Sequence, residues 1–295
     1  MNVYAENTFN VLDYGANGDG NSNDSLAFEK AWDETCNAME GTPTMIIPKG
    51  KTFLVYPMTF TGPCKSSNIN IRLSGIVKAP DDLHSWQASK RGKWLVFNGV
   101  SGLNISGFGL IDGSGKRRSD NSCKLKPIEA VGFRHCSDVH MTGIYVVWRD
   151  DCISIDDYVS KIKVSYVNCG PGHGISIGSL GRDGNEVQVE NIIVRNVSFY
   201  KNTNGARIKT WQFSHLTFVK VENSIIIDQF YCDVKGACNS TKTGVHISSV
   251  RFSHSTKTST TDIRLKLDTK GKHLVSSCNN AYGHNLGIVE PRSCL

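Results

Sequence analysis

Val139-His140-Met141 and, 162 − 139 = 23 residues on, Ile162-Lys163-Val164 are the short stretches that decide the fold of this chain. Each runs apolar, polar, apolar, so every second side chain falls on one face of an extended strand. The unit recurs at Leu103-Asn104-Ile105, Ile192-Ile193-Val194 and Leu216-Thr217-Phe218, and the five first positions are spaced by 36, 23, 30 and 24 residues. Spacing in a band of roughly 20 to 40 residues, with no helical period between, predicts stacked coils of strand rather than hairpins. The economical solution is all-β, a right-handed parallel β-helix in which each coil buries its apolar positions against the coils on either side. A β-sandwich is the runner-up on pattern alone, but hairpin dipeptides are sparse. One stretch departs from strand patterning. Ala27, Phe28, Ala31 and Trp32 recur at helical spacing behind Asn23 and Asp24, both able to cap free N–H groups, which predicts a short helix that plugs the N-terminal end.

Composition agrees with one folded body over residues 1–295. Hydrophobic residues are 39% and charged residues 20%, with 28 Gly and 10 Cys, which excludes disorder, coiled coil and collagen. No stretch approaches 18 apolar residues, and Met1 to Glu6 has neither a basic nor an apolar leader region, so no membrane span and no visible export signal are expected. The charge, 33 − 27 = +6, suits a polyanionic partner; nucleic acid is the weaker candidate, because no Lys/Arg run is interleaved with aromatics. The cysteines form no CxxC pair, so disulfides are favoured over zinc, and sequons at Asn23, Asn104, Asn196 and Asn239 agree with secretion.

Four constellations carry candidate chemistry: Arg149-Asp150-Asp151-Cys152, Cys169 to Ile177 around His173, Asn204 to Trp211, and Asp228 to Cys232. Adjacent carboxylates on a regular strand would place one inward at a cost of several kcal/mol. Asp150 and Asp151 are therefore expected at a strand corner, both reaching solvent. Two carboxylates in one site are what glycoside hydrolysis needs, one to protonate the leaving oxygen and one to activate water. The blander reading is an acidic turn, and Asp156-Asp157 shows how common the dipeptide is. His173 stands between glycines and lies 173 − 150 = 23 residues after Asp150, about one coil. Arg207 and Lys209 are one residue apart and both point out of a strand, a pairing suited to a uronate carboxylate. Arg207 is 207 − 173 = 34 residues after His173, another coil onward, so a solenoid gathers these groups and Tyr231 along one ridge.

Taken together, these motifs resemble the plant polygalacturonases of glycoside hydrolase family 28. The resemblance rests on Phe9 to Ala16 with Trp32, the run CGPGHGISIGSLG from Cys169 to Gly181, Arg207-Ile208-Lys209-Thr210-Trp211, Ile227-Asp228-Gln229 with Tyr231-Cys232-Asp233, and Pro291 to Leu295. It implies an extracellular, monomeric parallel β-helix that cleaves α-1,4 bonds of homogalacturonan in pectin with inversion, with no cofactor, no metal, no membrane and no nucleic-acid partner. Carried over residue by residue, it makes Asp150 the general acid and Asp151 a carboxylate activating water. His173 would support protonation of the acid, Arg207 and Lys209 would bind the galacturonate carboxylate, and Tyr231 would line the sugar site. It further implies disulfides Cys36–Cys64, Cys152–Cys169, Cys232–Cys238 and Cys278–Cys294.

The departures are specific. The family has an Asn-Thr-Asp segment before its Gly-Asp-Asp motif; here Val146-Val147-Trp148 runs straight into Arg149-Asp150-Asp151. This implies coils lost before Asp150, with one catalytic carboxylate, and a second gap between Ile263 and Ser277. Arg149 replaces a glycine, and a cation beside Asp150 favours its ionised form, opposing proton donation. Glu129 lies 150 − 129 = 21 residues before Asp150, one coil below, and is the candidate substitute for the missing carboxylate. A β-helix that binds pectin without turnover is the alternative reading.

Overall fold

The computed structural model describes residues 7–81, 93–113, 129–148, 150–178, 180 and 187–207, together with the backbone of residue 208 and of strands at 212–219, 223–227, 251–253, 263–264 and 289–290. Strands pair in parallel throughout and stack into a right-handed β-helix with three faces. One face runs through Thr8–Asn10, Thr44–Ile47, Ile69–Leu73, Ser101–Ser106, Ser137–Thr142, Val159–Ser165 and Val189–Tyr200. A second runs through Asp19–Asn23, Thr52–Leu54, Ile76–Lys78, Leu110–Asp112, Tyr145–Val147 and Asn168–Cys169. It joins the first because the long strand Val189–Tyr200 passes through the corner and pairs on both. The third face contains Met58–Thr61, Lys93–Asn98, Glu129–Arg134, Asp151–Ile155, Gly174–Ile177, Asn204–Ile208 and Asn223–Ile227.

The first four repeat units stack as expected, whereas Leu216-Thr217-Phe218 pairs with Val197-Ser198-Phe199 rather than with Ile192-Ile193-Val194, because the long strand Val189–Tyr200 runs on past its own unit. Leu103 pairs with Val139, Val139 with Ile162, and Ile162 with Ile192, all buried. Their spacing varies because the corner segments differ in length while the strand ladders do not. One repeated element could not be anticipated from composition. Gly102, Asp138, Lys161 and Asn191, each one residue into the first-face strand of successive coils or its equivalent level, have φ of 67, 53, 54 and 57°. The ladder skips these positions on both partners alike, so the register is kept while each coil turns at the same level.

Inside, like side chains stack along the axis: Phe60, Phe97 and Phe133 with ring centroids 4.7 and 5.5 Å apart, and Trp94 on Trp148 at 5.3 Å. The helix Ser25–Asn37 closes the N-terminal end, burying Phe28 against Phe53 and Trp32 against Phe60 and Phe97. Its capping differs from expectation. Asn23 Oδ1 accepts from Ser25 N–H, but buried Asp24 turns back to accept from the N–H groups of Asn17 and Gly18. Cys36–Cys64 and Cys152–Cys169 are bonded, the first two of the four pairings implied; the other two lie outside the described residues. Cys136 is a buried free thiol in the core. Among the described residues no helix is long and apolar enough to cross a membrane.

Candidate active site

The third face holds the site because its alternation frees one column for chemistry. Ile153, Ile155, Ile175 and Ile177 point into the core. The intervening Gly132, Ser154, Ser176 and Arg207 therefore align on the other side, register-paired from coil to coil. Three small residues followed by one guanidinium make a low floor on which longer neighbours fold down.

Asp150 sits at a bend just before the strand that begins with Asp151, which is the corner expected for the pair. The expectation that both carboxylates reach solvent is corrected. Asp151 is 3% exposed, because the ladder irregularity between Asp151 and Ile153 folds its side chain over the floor. Its Oδ2 accepts from Ser176 Oγ at 2.5 Å and faces Arg207 Nη2 at 3.5 Å. Its Oδ1 and Asp150 Oδ2 are buried with no hydrogen-bond partner among the described residues. Desolvation pushes the Asp151 pKa up to about 7, against the attraction of Arg207 and with repulsion from Asp150 and Glu129.

His173 stacks on Asp150 one coil up, as its spacing predicts. Its backbone N–H donates to the Asp150 carbonyl at 2.8 Å, and its Nδ1 lies 2.7 Å from Asp150 Oδ1. That hydrogen bond, opposed by burial and helped by the charges of Asp150 and Asp151, raises the His173 pKa. The flanking glycines permit the approach: a Cβ at Gly172 would lie 2.4 Å from the Trp148 carbonyl oxygen, and one at Gly174, where φ is +85°, 2.0 Å from that of Gly205. One oxygen or nitrogen from each of Asp150, Asp151 and His173 falls within 4.8 Å of the others. This donor set is also of a type that holds divalent ions, although the Arg207 guanidinium already supplies positive charge beside Asp151.

Glu129 stands on the coil below, where Val131 pairs with Ile153 and Gly132 with Ser154. Its Oε2 accepts from Ser154 Oγ and lies 2.5 Å from Lys93 Nζ, and the same ammonium contacts Asp156 and Ser154. The sequence reading missed Lys93 and the two serines. The signal available was the column itself, small residues beside carboxylates at one level of successive coils. Arg149, Lys209 and Tyr231 lie outside the described residues. The fold thus brings together Asp150, Asp151, His173 and Arg207, with Glu129 beside them.

The family described as Glycosyl hydrolases family 28 matches residues 36–131 and 126–288. The chain is 32% identical to a polygalacturonase of Persea americana over 95% of this chain and 73% of that protein, and 31% identical to one of Prunus persica over 98% and 93%. The Persea match runs over 346 positions, whereas 95% of 295 is about 280, so 346 − 280, about 66 positions, have no counterpart here. Among solved structures, an exopolygalacturonase of Thermotoga maritima matches with a TM-score of 0.61 at 16% identity, covering 85% of this chain and 66% of that one. With its family motifs spread from Cys36 onward and its coils matching in kind, the chain belongs to glycosyl hydrolases family 28.

Proposed function

We propose that the protein hydrolyses α-1,4-galacturonosyl bonds of polygalacturonan with inversion, outside the cell and without a cofactor. The observation that carries this is the convergence of Asp150, Asp151 and His173 within 4.8 Å, with Arg207 3.5 Å from Asp151, on one outward face. Two disulfides in the described residues support an oxidising compartment. Asp150 gives its proton to the glycosidic oxygen, and His173 returns one through the 2.7 Å contact. Arg207 binds a galacturonate carboxylate, and for Lys209 and Tyr231 a part in the same subsite rests on the family resemblance.

The base is the point at which the site departs from the family pattern. Asp150 and Asp151 have oxygens within 4.8 Å of each other, closer than the roughly 6.5–9.5 Å that leaves room for an attacking water in an inverting reaction. Asp150 leans toward His173 on the coil above while Glu129 stands on the coil below. Glu129 is within electrostatic reach of Asp151 from that lower coil. Burial also keeps a proton on Asp151 below about pH 7. Glu129 is therefore the principal water-activating carboxylate, with Asp151 orienting the water. The 66 extra positions in the Persea relative support the loss of coils that brought Glu129 to this level.

The test is reducing-end release from polygalacturonate. Asp150→Asn is expected to lower turnover by about 10²-fold or more, and Glu129→Gln to do the same with KM little changed. Full activity in Asp150→Asn would sink the hydrolase reading; unchanged turnover in Glu129→Gln would return water activation to Asp151. The second reading, pectin binding without turnover, is favoured by the missing Asn-Thr-Asp segment and predicts salt-sensitive binding with no reducing ends released.

A further inference from the structure

Lys93 has no place in the function just proposed, yet among the described residues it is a more enclosed cation than Arg207. It starts the strand one coil below Glu129, pairs with it in register, and its side chain is 14% exposed. Burial works against its charge, but Asp156 and Glu129 outweigh that and raise its pKa. The route it takes is set by Gly132. A Cβ there would come within 3.2 Å of Lys93 Cδ and 3.3 Å of Ser154 Oγ, so the bare backbone leaves the passage through which the lysine reaches Ser154 and Asp156. Ser154 Oγ, in turn, donates to the same Glu129 oxygen that the ammonium contacts.

We propose that Lys93 is a positioning residue, whose ammonium, spanning Glu129 and Asp156 across the floor left bare by Gly132, holds the Glu129 carboxylate turned toward Ser154 and the strand of Asp151. This rests on the reading of Glu129 as the water-activating group. Among the described residues, the charged groups facing Glu129 are Lys93 on the coil below, Asp156 at the far end of the next strand and Asp151 at the near end, and of these Lys93 is the one cation. Asp156 keeps the ammonium from following Glu129 away from the floor.

The experiment compares Lys93→Met and Lys93→Arg with the wild type in two readouts. In polygalacturonate hydrolysis, Lys93→Met is expected to lower kcat about tenfold with KM within twofold, and to move the acid limb of the kcat/KM profile up by about one pH unit. Lys93→Arg restores the position of the limb. A limb that superimposes on the wild type, whatever the loss in rate, shows a merely structural role and overturns the proposal. The second readout needs no turnover: the ¹³Cδ signal of Glu129, assigned by its absence in Glu129→Gln, is followed against pH and is expected to titrate at higher pH in Lys93→Met. An unmoved midpoint overturns the proposal. A midpoint that moves in a protein releasing no reducing ends leaves Lys93 in place and removes the hydrolase reading instead. If Lys93→Met does not fold, Lys93→Met/Asp156→Asn removes one charge of each sign and is read in the same way.

Discussion

Asp151 illustrates how a single side chain trades stability for chemistry. Its carboxyl titrates near 7 in the folded protein against an ordinary value of 3.8, because burial disfavours the charged form. The native state therefore binds more protons than the unfolded chain between these limits, and stability falls as pH rises from about 4 to about 7. The cost above pH 7 is on the order of a few kcal/mol. Asp151→Asn keeps the shape and removes the charge. Its melting temperature should exceed that of the wild type at pH 8, converge with it near pH 4, and be accompanied by loss of turnover. Equal melting temperatures at pH 8 would show that Ser176 and Arg207 fully compensate the buried charge. The adjacent-acid motif signalled a site in the sequence, but not which of the two acids would be enclosed, since that depends on the irregularity in pairing with the coil above.

At the scale of elements, the site is a strand and a turn held at fixed separation. Asp151–Ile155 carries the acid pair, and Cys169 to Gly174 carries the histidine back over it. Cys152–Cys169 ties the two together across a sequence separation of 17. Closing a loop of this size removes about 3 kcal/mol of freedom from the unfolded chain. Cys152→Ala/Cys169→Ala should thus lose about that much in urea denaturation, with activity falling through the placement of His173. Gly174→Ala tests the turn itself. A methyl group at φ +85°, 2.0 Å from a carbonyl oxygen, requires the Asn204–Ile208 strand or the histidine turn to move, and a loss of about 3 kcal/mol or more is expected. A loss under 1 kcal/mol would mean that the turn has room which the backbone contact denies. The His-Gly context and the 23-residue interval were legible beforehand because they are local or periodic; the carbonyls that exclude a side chain belong to other coils.

For the whole molecule, a net charge of +6 facing a polyuronate predicts that polygalacturonate affinity is electrostatic at long range. KM should rise with ionic strength between about 20 and 200 mM, as the screening length shrinks from roughly 20 to 7 Å, and Arg207→Ala should flatten that dependence. A salt-independent KM would place recognition in neutral sugar contacts. The chain alone determined the architecture, the helix at the N-terminal end and the gathering of Asp150, His173 and Arg207, because apolar alternation and coil-length intervals are written in local order and each coil repeats the last. Tertiary structure alone decided the burial of Asp151, the engagement of Glu129 by Ser154 and Lys93, and the reach of Lys93 over Gly132. Those depend on which residue of one coil lies against which residue of the next. A register of that kind is set by corner lengths, bulges and the packing of the rungs together, and no single segment contains it.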